Sequence, residues 1–144
     1  MNFRKTDNRY VVVLKKGEEI VASLKVFCEQ EKIFNGFFSA IGAVDEAQLA
    51  HYSVKEKKYS RFELKEPLEM VSLLGNVFLG PENELIIHAH ASFSRPDGEM
   101  KGGHLVEARI SGTGEIIFLP LPLNLKKSQD DKTGLKILKN FGKI

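Results

Sequence analysis

The segment that most constrains this chain runs from Leu85 to Ser94, through Arg95-Pro96-Asp97-Gly98, and on through residues 100–111. Two runs of strand-forming residues flank a turn with proline at its second position and glycine where a left-handed residue is needed. The common three-residue hairpin of this kind carries a glycine bulge and makes Arg95 and Glu99 its closing pair. Counting outward from that pair sets Ser92 opposite Gly102 and His90 opposite His104. Without the bulge the register slips by one residue, and His104 turns to the other face.

The register matters because of what it brings together. The chain has four histidines, and His88, His90 and His104 fall within seventeen positions. Side chains alternate along a strand, so His88 and His90 point the same way, about 6.6 Å apart along the backbone. In the bulged register His104 joins them. Imidazole is a common neutral ligand for zinc and related ions, and three such ligands plus water make an open metal site. Gly102 and Gly103 leave space beside it for a ligand or a neighbouring subunit. Glu69, Glu99 and Glu107 are carboxylates of the kind that orient an imidazole or act as a base. The competing reading is a polar, solvated sheet face, since alternation alone often produces His-x-His. His51 is expected at the surface rather than as a fourth ligand. Ser92 and Ser94 lack the sharp-turn sequence of a serine nucleophile.

The rest of the chain supplies strands and one helix. Residues 10–14 read as a buried strand. A helix is expected over residues 18–32, with Glu18 and Glu19 at its positive end and Ile20, Val21, Leu24, Phe27 and Cys28 on one face. Further strands are expected at 37–44, at 47–54 paired with 59–64, at 69–79, and at 115–119 after a break at Thr113-Gly114. The tail from Lys126 is lysine-rich, and Leu135, Ile137, Leu138 and Phe141 suggest that it docks. The expected class is α+β, one domain over residues 1–144, with a central, mostly antiparallel β-sheet and one main helix.

Charge and cysteine usage narrow the setting. The net charge is +2, too small to argue for a nucleic-acid footprint. Acidic residues interleave the basic stretch Lys55, Lys57, Lys58, Arg61 and Lys65, which reads as a solvated face. Gly112-Thr113-Gly114 lacks the lysine and helix of a phosphate loop. Cys28 is the single cysteine, so no internal disulfide is possible. No run is long enough for a signal peptide or a membrane span, and a cytoplasmic location is expected.

Three groups of residues together resemble the PPC (plants and prokaryotes conserved) domain in its stand-alone prokaryotic form. They are Leu68-Glu69-Met70-Val71-Ser72-Leu73-Leu74-Gly75-Asn76, His88-Ala89-His90, and Asp97-Gly98 followed by Gly102-Gly103-His104-Leu105. The resemblance spans nearly the whole chain. It implies an α+β fold that assembles as a homotrimer, with His88, His90 and His104 holding a metal ion, usually zinc. Plant relatives join this domain to AT-hooks, and similar prokaryotic proteins carry a predicted DNA-binding label. This chain has no Arg-Gly-Arg-Pro hook to enter a narrow minor groove. A cupin, which also uses His-x-His, fits the spacing less well.

Two functions follow as expectations. One is a three-histidine zinc site that binds a small ligand, with metal-assisted hydrolysis as the chemistry such a site permits. The other is a DNA-binding or regulatory module acting as a trimeric assembly domain, with the basic residues from Lys55 to Lys65 and the tail lysines Lys126, Lys127, Lys132 and Lys136 supplying phosphate contacts. The sequence names no substrate, and neither reading requires an enzyme.

Overall fold

A computed structural model describes residues 1–139. The elements in chain order are β1 (Asn2–Thr6), β2 (Arg9–Lys15), α1 (Ile20–Glu31), β3 (Gly36–Ser53), β4 (Lys58–Leu64), β5 (Leu68–Leu79), β6 (Leu85–Ser94), β7 (Met100–Pro120), β8 (Lys127–Gln129) and β9 (Lys136–Leu138). Strands β1 to β7 form one sheet in the order β1-β2-β7-β6-β5-β3-β4, and β8 and β9 form a separate hairpin. Every strand ladder is antiparallel.

The sheet also closes on itself, because β7 pairs with β3 as well as with β6. Strands β3, β5, β6 and β7 therefore make a ring, with β3–β5, β5–β6, β6–β7 and β7–β3 ladders. Two expected breaks are absent. Residues 36–53 form a single strand of 18 residues, and residues 100–120 a single strand of 21. The ladder between them shifts register between Gly42 and Val44, between Val44 and Glu46, and between Gln48 and Leu49. Bulges let two long strands bend around the core without ending. Thr113-Gly114 thus lies inside β7, paired to both β2 and β3.

One face of the sheet holds the core. Phe38, Leu73, Phe93, Ile116 and Phe118 are fully buried there. Helix α1 packs on this face through Ile20, Leu24, Phe27 and Cys28, the stripe expected from its spacing. Phe27 is the centre of the aromatic packing, with ring centroids 5.2 Å from Phe3, Tyr10 and Phe118. A buried Phe contributes about 1.5–3 kcal/mol relative to an exposed one.

Glu19 fixes the helix in two ways. Its carboxylate accepts the N–H groups of Val21 and Ala22, capping the first turn, and the N–H of Ala108 on β7 at 3.1 Å. Lys32, in the left-handed region at φ 55°, ends the helix. Strand β1 was not expected from the sequence. It is an edge strand with an exposed, polar pattern, paired to β2 from Asn2↔Val13 to Thr6↔Arg9.

Cys28 is completely buried, and burial pushes its thiol up to about 12. A thiol that does not ionise is a poor nucleophile. The native protein should therefore give no reaction with a disulfide reagent such as dithionitrobenzoate over an hour or so, and one equivalent per chain once unfolded in guanidinium. Rapid labelling of the native protein would contradict this packing.

Candidate metal centre

The hairpin between β6 and β7 has the bulged geometry. Gly98 lies at φ 85°, the Arg95 N–H donates to the Glu99 carbonyl at 3.0 Å, and the Gly98 N–H donates to the Arg95 carbonyl at 2.9 Å. The ladder runs Ser94↔Met100, Ser92↔Gly102 and His90↔His104, the register expected from the turn. His104 also pairs with Ala50 of β3, so it stands where the ring closes.

All three imidazoles lie on the face away from the core. Ring centroids are 5.3 Å apart for His88 and His90, 5.2 Å for His88 and His104, and 5.5 Å for His90 and His104. One nitrogen from each lies within 4.8 Å of the other two. Three nitrogens bonded to one ion at about 2.1 Å span at most about 4.2 Å, so small side-chain rotations bring them to that spacing. These residues thus form a cluster that could hold a metal ion.

Two of the imidazoles are held in the neutral form that can ligate a metal. The His88 imidazole is drawn down to about 4, first by burial and then by the charges of Lys127, His104 and His90. His104 is lowered by burial, His90, Lys127 and Arg61. Rings held neutral at pH 7 keep their lone pairs available. Asn76, paired with His88 in the β5–β6 register, has a buried Oδ1 with no hydrogen-bond donor. Buried acceptors rarely stay unpaired. An imidazole N–H whose other nitrogen binds a metal is a suitable donor for it, since such rings commonly donate to a fixed oxygen.

A cavity of about 980 Å³ opens over the cluster. Its lining includes His88, His90, His104, Tyr59 and Asn76, together with residues of the β8–β9 hairpin. The Tyr59 ring lies 5.1 Å from His104. The hairpin is pinned above the site: Tyr52 Oη donates to the Thr133 carbonyl at 2.8 Å, and Lys136 pairs with Glu84 at 2.6 Å. A second cavity of about 270 Å³, lined by Phe37, Leu74 and Asn76, reaches His88 and His90 from the neighbouring side.

Several expectations change here. Among the described residues no carboxylate lines either cavity. Glu99 is instead held by Arg95 and by Lys101, the latter at 2.6 Å, while Glu69 and Glu107 are exposed. Gly102 and Gly103 do not make room for a ligand. A side chain at either would meet a backbone carbonyl at 2.9 Å, of Ala91 and Ala50 respectively, so they allow the strands of the ring to come close. His51 is exposed and outside the cluster, as expected. The tail does dock, with Leu135, Ile137 and Leu138 lining the larger cavity; Phe141 lies outside the described residues. Lys127 was expected only as a phosphate contact in the nucleic-acid reading, and Asn76 only within the family resemblance; neither was expected beside the histidines. A polar Asn within the apolar run from Leu73 to Leu79 was a usable signal; Lys127 had none.

The chain matches the Plants and Prokaryotes Conserved (PCC) domain over residues 1–122. It belongs to that family. Crystal structures of similar proteins agree. A metal-containing protein from Archaeoglobus fulgidus is 32% identical, with a TM-score of 0.87 over 97% of this chain and 99% of that one. A plant- and prokaryote-conserved protein from Pyrococcus horikoshii is 28% identical, with a TM-score of 0.85 over 98% and 96%. A candidate DNA-binding protein from Bacteroides thetaiotaomicron is 28% identical, with a TM-score of 0.91 over 96% of both chains. No curated protein matches the chain significantly.

Within this PCC domain the cluster depends on the bulge at Gly98. A non-glycine residue in the left-handed region costs roughly 1–2 kcal/mol. Gly98→Ala should lower the thermal midpoint by roughly 2–5 °C, measured by circular dichroism. An unchanged midpoint would mean that the turn is not held in this form.

Proposed function

We propose that this protein is a zinc-binding domain whose three-histidine centre takes a small ligand, and that it works as a homotrimer in the cytoplasm. The observation that carries the metal reading is the convergence of His88, His90 and His104, with burial keeping His88 and His104 neutral. The Archaeoglobus neighbour, named as a metal-containing protein, supports it. An all-imidazole set suits zinc, and three protein ligands leave a position for something else. A bound zinc ion would supply Lewis acidity, which hydrolysis exploits. Among the described residues none around it provides a carboxylate base, so ligand binding is better supported than hydrolysis.

The trimer reading rests on the outer sheet face. Val11, Ile117, Ser39, Leu74, His90 and His104 lie in one cross-strand row. Val11, Phe37, Ile41, Leu74 and Ile117 are all exposed, a continuous apolar band that ends at the histidines. Apolar bands of this kind mark contact surfaces, and closed rings of identical subunits bury them. No described helix is long and apolar enough to cross a membrane.

The candidate DNA-binding neighbour favours a second reading, a nucleic-acid module. The side chains weigh against it. Lys65 is paired with Glu63, Lys57 donates to the Asp131 carbonyl, Lys136 is paired with Glu84, and Lys127 is buried. Cations already engaged at short range contribute less to counterion release.

Metal analysis of the purified chain by plasma mass spectrometry should find about one zinc per chain, lost in a His88→Ala/His90→Ala variant. A metal-free wild type after zinc is supplied would remove this reading. Salt-sensitive binding to duplex DNA that survives the same double substitution would favour the nucleic-acid module instead.

Light scattering should give a mass three times that of the chain, and Ile117→Asp, on the exposed band, should reduce it to a monomer. A monomeric wild type would sink the assembly reading while leaving the metal reading intact.

A further inference from the structure

The wall that faces the histidines is positively charged. Lys57, Lys127 and Lys136 line the larger cavity, and among the described residues no aspartate or glutamate does. Two of these lysines are engaged: Lys57 donates to the Asp131 carbonyl at 2.6 Å, and Lys136 pairs with Glu84 at 2.6 Å.

Lys127 differs from both. It is only 5% exposed, yet it has no hydrogen bond or ion pair with another described residue. Its charge reaches both His88 and His104. Strand alternation accounts for its direction. Lys126 points outward and donates to Asn83 Oδ1 at 2.6 Å, so its neighbour points in. The backbone there is fixed, because the Leu125 N–H donates to Asn35 Oδ1 at 2.8 Å and Lys126 bridges to Leu79. The backbone that carries Lys127 is therefore fixed beside the cavity.

An ammonium group that faces a cavity whose described lining holds no carboxylate favours an anion there. A lysine used only for its apolar stem would carry its head to the surface. Here Lys127 lines the same cavity as the histidine cluster, where a divalent ion would add further positive charge. Such a site strongly favours an anion.

We infer that the cavity binds a small organic anion, a carboxylate or a phosphate ester, and that Lys127 is the residue that selects it. The anionic group lies toward Lys127 and the histidine cluster. The carbon skeleton lies against the apolar part of the lining, which includes Tyr59, Ile87 and Ile137. This inference takes its second anchor from the metal reading above, but the selection by Lys127 stands separately from it. The residue also falls outside the matched stretch 1–122, on the hairpin over the site.

The test is isothermal titration of the zinc-loaded full chain with three probes: benzoate, phenyl phosphate and the neutral isostere benzamide. Wild type, Lys127→Met and Lys127→Arg are compared, with metal content measured in each. At least one anion should bind the wild type about tenfold or more tighter than benzamide. Which of the two it is separates a carboxylate site from a phosphate site. Lys127→Met should lose that preference with its metal content unchanged, and Lys127→Arg should keep part of it. Equal binding of anion and amide, a preference that survives Lys127→Met, or no measurable binding of any probe would each overturn the inference. If the wild type holds no metal, the metal reading fails. The same titrations on the metal-free chain then decide the role of Lys127, by the same preference and its loss in Lys127→Met.

Discussion

Strand β7 is the constraint on which the rest of the structure depends. Its first residues pair with β6, nearly all of its length pairs with β3, and its last third also pairs with β2. A strand used along both edges cannot slide without breaking several ladders at once. His104 sits where β6 leaves one edge of β7 and β3 occupies the other. The cluster is therefore built with all three imidazoles on paired strands and none on a loop. Side chains held this way are positioned by the strand pairing itself.

Burial and charge shape what this position can bind. The imidazoles are set in a cavity that lowers His88 and His104 by desolvation first and by neighbouring positive charges second. Both causes work in the same direction, toward neutral rings. The β8–β9 hairpin then closes the cavity with a lysine where a second-layer carboxylate is common in metal sites. The positive charge of an ion would not be offset by this lining. Among the described residues lining the cavity none supplies a compensating negative charge.

The legible parts of the fold were those decided by local chemistry. Pro96 and Gly98 fix a turn, the turn fixes a register, and the register puts His90 opposite His104. Helix α1 was legible because five apolar positions share one face. The long strands were not. Glycines and small polar residues such as Thr113 and Gly114 mark bulges as readily as turns, and only the partner strands decide between the two. Strand β1 was missed because it is a short edge strand in which only Phe3 packs inward, and its other residues have the composition of a loop. Lys127 was out of reach for a different reason. Its burial is created by residues near positions 76, 88 and 104, and no pattern within the tail signals it.

The position of the cluster links its two neighbourhoods. His88 and His90 stand between the larger cavity under the hairpin and the smaller one lined by Phe37 and Leu74. Phe37 and Leu74 also belong to the exposed apolar band. Whatever covers that band closes the smaller cavity and excludes water from one side of the histidines. Lower water content strengthens every charge interaction in the site, including that between Lys127 and an anion. If copies of the chain provide the cover, assembly and ligand affinity are coupled through the same few residues, and a subunit alone would bind more weakly than one in the ring. The selectivity of the site would then be set by the chain's own hairpin, and its strength by the neighbour.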